Sequence, residues 1–149
     1  MKDKVKIKVV NDSGLPLPAY ARHGDAGMDL RSTIGCTIHP GDTRIINTGL
    51  RVEIPYGYEI QIRPRSGMGA KTKMRIANSP GTIDHGYRNF IGVIMENIGT
   101  DPYEIVIGDR IAQAVLSEVP FIEWDEVDNI DELSVTDRGE GGFGSSGKQ

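Results

Sequence analysis

The chain has 149 residues, enough for one domain with a sizeable core, and a net charge of −4. That balance offers no general basic surface, which argues against duplex nucleic acid as the main partner. Cys36, alone of its kind, excludes a disulfide framework or a cysteine-based metal site. No apolar run approaches the ~20 residues of a membrane helix, and the charged opening through Lys8 lacks a secretory leader's apolar stretch. A soluble protein of the reducing cytoplasm is expected.

Strand signals dominate along the chain. Val5, Ile7 and Val9 alternate with Lys6 and Lys8. Ala26-Gly-Met-Asp-Leu30 then sets a carboxylate, Asp29, between apolar residues at the entry to a strand. Pro40-Gly41-Asp42 marks a turn; Val52 and Ile54 flank Glu53; Pro55-Tyr56-Gly57 marks the next turn. Tyr58, Ile60 and Ile62 alternate with Glu59, Gln61 and Arg63. Ser66 to Lys73 is the one window with helical character, and Ser66 is of the type that caps a helix. After the loop Asn78-Ser79-Pro80-Gly81 come the β-branched runs Ile91 to Met95, Tyr103 to Ile107 and Ile111 to Leu116. Asn97-Ile98-Gly99 and Gly108-Asp109 separate these runs as turns. Short strands at regular spacing, with 19 Gly and 8 Pro, predict an all-β fold, a jelly-roll barrel or sandwich. From Asp125 the composition turns acidic and polar. The predicted division is a β core over 1–124 and an extended arm over 125–149.

Chemistry-bearing residues gather in and beside the turns. Arg63-Pro-Arg-Ser-Gly67 offers two guanidiniums and a hydroxyl where a strand meets the helix: either an anion site or a capped helix with solvated arginines. In Asn78-Ser-Pro-Gly-Thr-Ile-Asp-His-Gly-Tyr-Arg88, Asp84 precedes a tight turn containing Gly86, with Tyr87 beyond. Asp84 is either a reacting carboxylate or a turn cap, and Tyr87 either a substrate contact or cross-strand packing. In Gly108-Asp-Arg-Ile-Ala-Gln113, strict alternation puts Arg110 and Gln113 on opposite faces, and Asp109 and Arg110 suit a turn ion pair.

The tail Arg138-Gly-Glu-Gly-Gly-Phe-Gly-Ser-Ser-Gly-Lys-Gln149 combines five glycines, two cations, two hydroxyls and one large apolar ring, Phe143. It reads either as a Gly/Ser-rich tail or as an arm that closes on a nucleotide, the ring on a base and the rest on phosphates. Its partial likeness to a Walker loop fails, because Gln149 stands where Ser or Thr is required after Lys148. None of His23, His39 and His85 has a partner at metal-ligand spacing. Carboxylates with phosphate ligands fit water attack on a phosphate assisted by Mg²⁺, which binds through substrate phosphates and one or two carboxylates.

In order and spacing, these five segments between Ala26 and Gly147 resemble the five motifs of the homotrimeric dUTP diphosphatase (dUTPase) family. The resemblance implies a β jelly roll and the reaction dUTP + water → dUMP + diphosphate, which limits uracil in DNA and supplies dUMP. It implies Asp84 as general base, with Tyr87 against the deoxyribose, where it leaves no room for a 2′-OH. It further implies Asn78 and the backbone of Thr82, Ile83 and Gly92 as the uracil site, and Arg65, Ser66, Gly67 and Gln113 as phosphate ligands. Asp29 would hold Mg²⁺ through water, Arg138 would reach the γ-phosphate and Phe143 would stack on uracil. Gly144, Ser145 and Ser146 would close over the phosphates. The implied assembly is a homotrimer whose sites are shared, each arm crossing to a neighbour; no nucleic acid or membrane partner is implied.

Ser32, Met68-Gly69 and Asn89 depart from the family's usual residues, all at peripheral positions. The hairpin also resembles the dCTP deaminases, which share the fold. Those enzymes carry a catalytic glutamate ten residues after the aspartate, where this chain has Ile94; Glu96 is the nearest substitute. A nucleotide sensor or protein-binding regulator on the same fold is the non-enzymatic alternative, and every residue marked as chemical is present against it.

Overall fold

The structure, a computed structural model, describes residues 4–142. Eleven strands and one short helix follow in the order β1 (Lys8–Asn11), β2 (Gly27–Arg31), β3 (Cys36–Ile38), β4 (Thr43–Asn47), β5 (Leu50–Glu53), β6 (Tyr58–Arg63), α1 (Ser66–Lys71), β7 (Met74–Ile76), β8 (Gly81–Ile83), β9 (Gly92–Asn97), β10 (Tyr103–Ile105) and β11 (Arg110–Glu118). All pairings are antiparallel. A four-stranded sheet runs β2-β11-β6-β8 and a three-stranded sheet β4-β9-β7, with ribbons β1-β5 and β10-β3. This is the predicted jelly roll. No described helix is long and apolar enough to cross a membrane.

Alternation explains the core. Ile60 and Ile62 of β6, Leu30 of β2 and Ala114 of β11 point inward from the larger sheet. Ile46, Val93 and Met95 meet them from the smaller one, and all belong to one cluster. Asn97 is buried too, yet its amide nitrogen donates to the carbonyls of Ile38 (2.9 Å) and Asp101 (2.8 Å). Its oxygen accepts from the Gly99 N–H at 2.9 Å, so every polar atom that burial strips of water is matched.

Three local expectations are corrected. The first ladder begins only at Lys8, although Val5 and Ile7 keep their alternate half-burial. Ser66 is not the helix cap: the N-cap is Arg65, in extended conformation and without a side-chain cap bond. The helix ends at Lys71 because Thr72 is extended and folds its hydroxyl back onto the Met68 carbonyl at 2.7 Å. Finally, Arg110 and Gln113 share a face. The β2–β11 register passes from Arg31↔Arg110 to Leu30↔Ala112, so Ile111 is an inserted bulge residue that resets parity, and Ile111 and Ala112 are both buried.

Beyond β11 no described residue joins a sheet. A single 3-10 turn, Ile130–Glu132, is capped by the Asn129 side chain, and Ile122, Trp124 and Val135 stand largely exposed.

Gly49, between β4 and β5, has φ +71°, and a Cβ there would lie 2.5 Å from Ser13 Cα. Backbone cannot yield as a flexible side chain can. Gly49→Ala is therefore expected to cost about 2 kcal/mol or more, the left-handed penalty plus the collision. Chemical denaturation against the parent protein measures it.

Candidate active site

Strands β8 and β9 are consecutive, yet they do not pair with each other. β8 pairs with β6 through Ile60↔Ile83, Gln61↔Thr82 and Ile62↔Gly81, while β9 pairs with β4 and β7 in the other sheet. The hairpin is thus splayed, leaving a cleft of about 420 Å³ lined by Asn78, Thr82, Ile83, Tyr87, Gly92 and Ile94, among others. As the edge strand, β8 has one row of N–H and C=O groups without a strand partner among the described residues. On β9 the β7 ladder stops at Met95, with a last bond from Ala77 N–H to the Ile94 carbonyl at 2.9 Å. Gly92 keeps the cleft open, since a Cβ there would sit 2.7 Å from Ile45 Cγ2. At the mouth, the Tyr87 hydroxyl donates to the Phe90 carbonyl at 2.8 Å, which fixes the ring across its loop.

A second depression, an open groove of about 620 Å³, gathers Arg63, Arg65, Ser66 and Gln113 with Ser79 and Pro80. Register builds it: Gln113 faces Arg63 on one side and Asp29 on the other. Arg65 Nε donates to Asp29 Oδ1 at 2.7 Å and Arg110 Nη1 to Oδ2 at 3.3 Å, so one carboxylate holds two guanidiniums. Gln113 Nε2 donates to the Pro64 carbonyl at 2.8 Å. Its Oε1 lies directly over Gly27, in space that any Cβ would take. Among the described residues no cluster of three or more metal-ligating side chains occurs.

The dUTPase family profile matches residues 13–147. A deoxyuridine 5'-triphosphate nucleotidohydrolase of Anaplasma marginale is 46% identical over 97% of this chain and 98% of its own. One from Solibacter usitatus is 49% identical over 89% and 88% respectively. The chain belongs to the dUTPase family. Among solved structures, the dUTPase of Staphylococcus bacteriophage 80alpha with dUPNHPP superposes with a TM-score of 0.85 at 28% identity, covering 98% of this chain and 99% of that one.

Of the residues that the dUTPase motifs single out, Asn78, Thr82, Ile83, Tyr87 and Gly92 are brought together in the cleft. Arg65, Ser66 and Gln113 meet in the groove, with Asp29 behind Arg65. Gly67 follows in α1 with open space around it. Asp84 is exposed at the end of β8 and lines neither depression. Arg138 is engaged locally, donating from Nε to the Gly141 carbonyl at 2.8 Å. Phe143, Gly144, Ser145 and Ser146 lie outside the described residues. Two contributors escape a reading by motif. Arg110 reaches Asp29 rather than Asp109, whose carboxylate instead accepts the Val106 N–H at 2.9 Å. Gly27 supplies the space for Gln113.

That space gives a specific expectation. Gly27→Ala should cost about 1–2 kcal/mol by displacing the carboxamide from Pro64. Gly27→Ala combined with Gln113→Ala should be no less stable than Gln113→Ala alone, because the colliding atom is gone. A double-mutant cycle in urea reads the non-additivity directly.

Proposed function

We propose that this protein hydrolyses dUTP to dUMP and diphosphate, and the observation that carries the reading is the splayed β8–β9 hairpin. A strand edge presents N–H and C=O groups at fixed spacing, which suits the acceptor–donor–acceptor edge of uracil and leaves cytosine mismatched. Asn78 adds a side-chain amide to the same cleft. Close approach of the cleft backbone is read as refusing a thymine 5-methyl group. Tyr87, tied to Phe90, is positioned to pack on the deoxyribose and cannot easily retreat before a 2′-OH.

Arg65, Ser66, Gly67 and Gln113 are read as phosphate ligands, with Arg138 and the segment Phe143, Gly144, Ser145 and Ser146 closing the site. Asp84 takes a proton from water as the water oxygen bonds to the α-phosphorus. The bond from that phosphorus to the bridging oxygen breaks, and diphosphate leaves with the electron pair.

The donor set also bears on the metal. Both Asp29 oxygens already accept from guanidiniums, and no protein cage is present among the described residues. That fits Mg²⁺ carried on the triphosphate, with Asp29 reached through water, and does not fit a resident ion held by carboxylates. Bound there, the ion would neutralise phosphate charge.

The topology supports a shared site. Along β6, Ile62 lines the cleft whereas Gln61 and Arg63 line the groove, so the two depressions lie on opposite faces of the β6–β8 pair. That placement disfavours one nucleotide occupying both on a single chain. The reading includes the homotrimer that the family motifs imply, in which the cleft of one copy would meet the groove of another. The exposed apolar residues after β11, Phe121, Ile122 and Trp124 among them, supply surface for such an assembly. Deamination is disfavoured because Ile94 lines the cleft, whereas Glu96, paired opposite Thr43 and Arg75, does not.

Diphosphate release from dUTP, dCTP, dTTP and UTP, assayed side by side, tests the activity: only dUTP should be turned over efficiently. Asp84→Asn should retain nucleotide binding and lose roughly 100- to 10,000-fold in kcat; near-normal turnover would remove Asp84 as the base. Tyr87→Ala should narrow the dUTP-over-UTP preference by about tenfold or more in kcat/KM. Unchanged rejection of UTP would assign sugar selection elsewhere.

A further inference from the structure

His85 follows Asp84 directly, and the mechanism above leaves it without a part. Its Nδ1 lies 2.7 Å from the carbonyl oxygen of Ile54. A carbonyl only accepts, so Nδ1 must carry a proton in the neutral ring as in the charged one. The contact is therefore a tether at either protonation state. Its far end is firm: Ile54 is wholly buried, and the corner after it is closed by Tyr58 N–H to the Pro55 carbonyl at 3.2 Å. The imidazole is also packed. Tyr56 meets it edge-to-face with centroids 5.8 Å apart, and Tyr56 in turn stacks on Phe121 at 4.9 Å.

What the tether holds is the turn 84–87. The last ladder pair of β8 is Ile60↔Ile83, so Asp84 is already beyond the sheet. Within the turn, Tyr87 N–H donates to the Asp84 carbonyl at 3.0 Å, and Arg88 Nη1 donates to the carbonyls of His85 (2.7 Å) and Tyr87 (2.9 Å). Those bonds stiffen the turn internally. Of its two outward side-chain bonds, Tyr87 reaches Phe90 in the same loop, whereas His85 reaches Ile54 at the β5–β6 corner.

We propose that His85 is a positioning residue: its Nδ1–H bond to Ile54 fixes the 84–87 turn against the β5–β6 corner and thereby sets where the Asp84 carboxylate and the Tyr87 ring stand. This rests on the reading of Asp84 as the base. A base acts only within hydrogen-bond reach of its water, and misplacement by about 1 Å costs on the order of 100-fold in rate. A single part-buried hydrogen bond of modest worth to stability can thus matter much more to turnover.

The test compares three variants of the full chain on dUTP. His85→Ala removes the donor; His85→Asn keeps an N–H donor close to the position of Nδ1; Asp84→Asn reports on the base. For His85→Ala, kcat is expected to fall roughly tenfold, the preference for dUTP over UTP to loosen, and the melting temperature to move by only a few degrees. His85→Asn should recover kcat to within about threefold, which loss of general stability would not predict. Wild-type kcat in His85→Ala, or a folded His85→Asn as slow as His85→Ala, overturns the proposal. If Asp84→Asn stays inert while His85→Ala is unimpaired, the tether alone is wrong. If Asp84→Asn turns over normally, the assignment of the base has failed, and the tether with it.

Discussion

Two consecutive strands that hydrogen-bond into different sheets create the feature on which the rest of the molecule depends. Had β8 and β9 closed as an ordinary hairpin, their facing backbone groups would have satisfied each other and the cleft would be filled. Instead β8 takes its partners from β6 and β9 takes its own from β4 and β7. Unpaired backbone is costly when buried but tolerable at a solvated edge. Short strands and a small residue at each critical point keep the splay affordable: Gly81 packs against Ile62, and Gly92 leaves Ile45 its place.

The same sheet that carries the cleft on one face carries the arginine-lined groove on the other. A β-strand sends neighbouring side chains to opposite faces, so β6 serves both with Ile62 inward and Gln61 and Arg63 outward. A single chain consequently presents the cleft and the groove as two separate depressions. On the proposed reading, association of copies is then a condition of chemistry and not only of stability.

Alternation of apolar and polar residues makes β6 and most of β9 and β11 legible in the sequence, because six to nine residues give several periods. Turn chemistry is equally plain, with Gly41, Gly57 and Gly108 all at positive φ where turns are expected. Strands β3, β7 and β8 are three residues each, less than two full periods, and nothing local distinguishes them from loop. The bulge at Ile111 is hidden for a different reason. Two adjacent apolar residues suit either face until a partner register is known, and only pairing with β2 shows that Arg110 and Gln113 lie together. Residue type likewise misplaces the helix cap, since Ser66 has a capping side chain but Arg65 has the capping conformation. The site segments stand out by composition; which of them share a depression depends on faces and registers that composition does not encode.

Asp29 shows how charge can be arranged in advance of an anion. If the groove takes phosphates as proposed, a bare carboxylate there would repel the substrate, yet Asp29 is outnumbered by Arg65 and Arg110, leaving a net positive corner. With side chains 25–52% exposed, these pairs contribute at most about 1 kcal/mol each to folding after solvent screening. Their larger effect is on the free protein's disorder. Arg65 and Arg110 each possess many rotamers, and an ion pair made before binding removes part of the entropy that binding would otherwise have to remove. Gln113 is restrained in parallel by Pro64 and by the gap above Gly27. On the proposed reading, a groove preorganised in this way receives phosphates with little rearrangement.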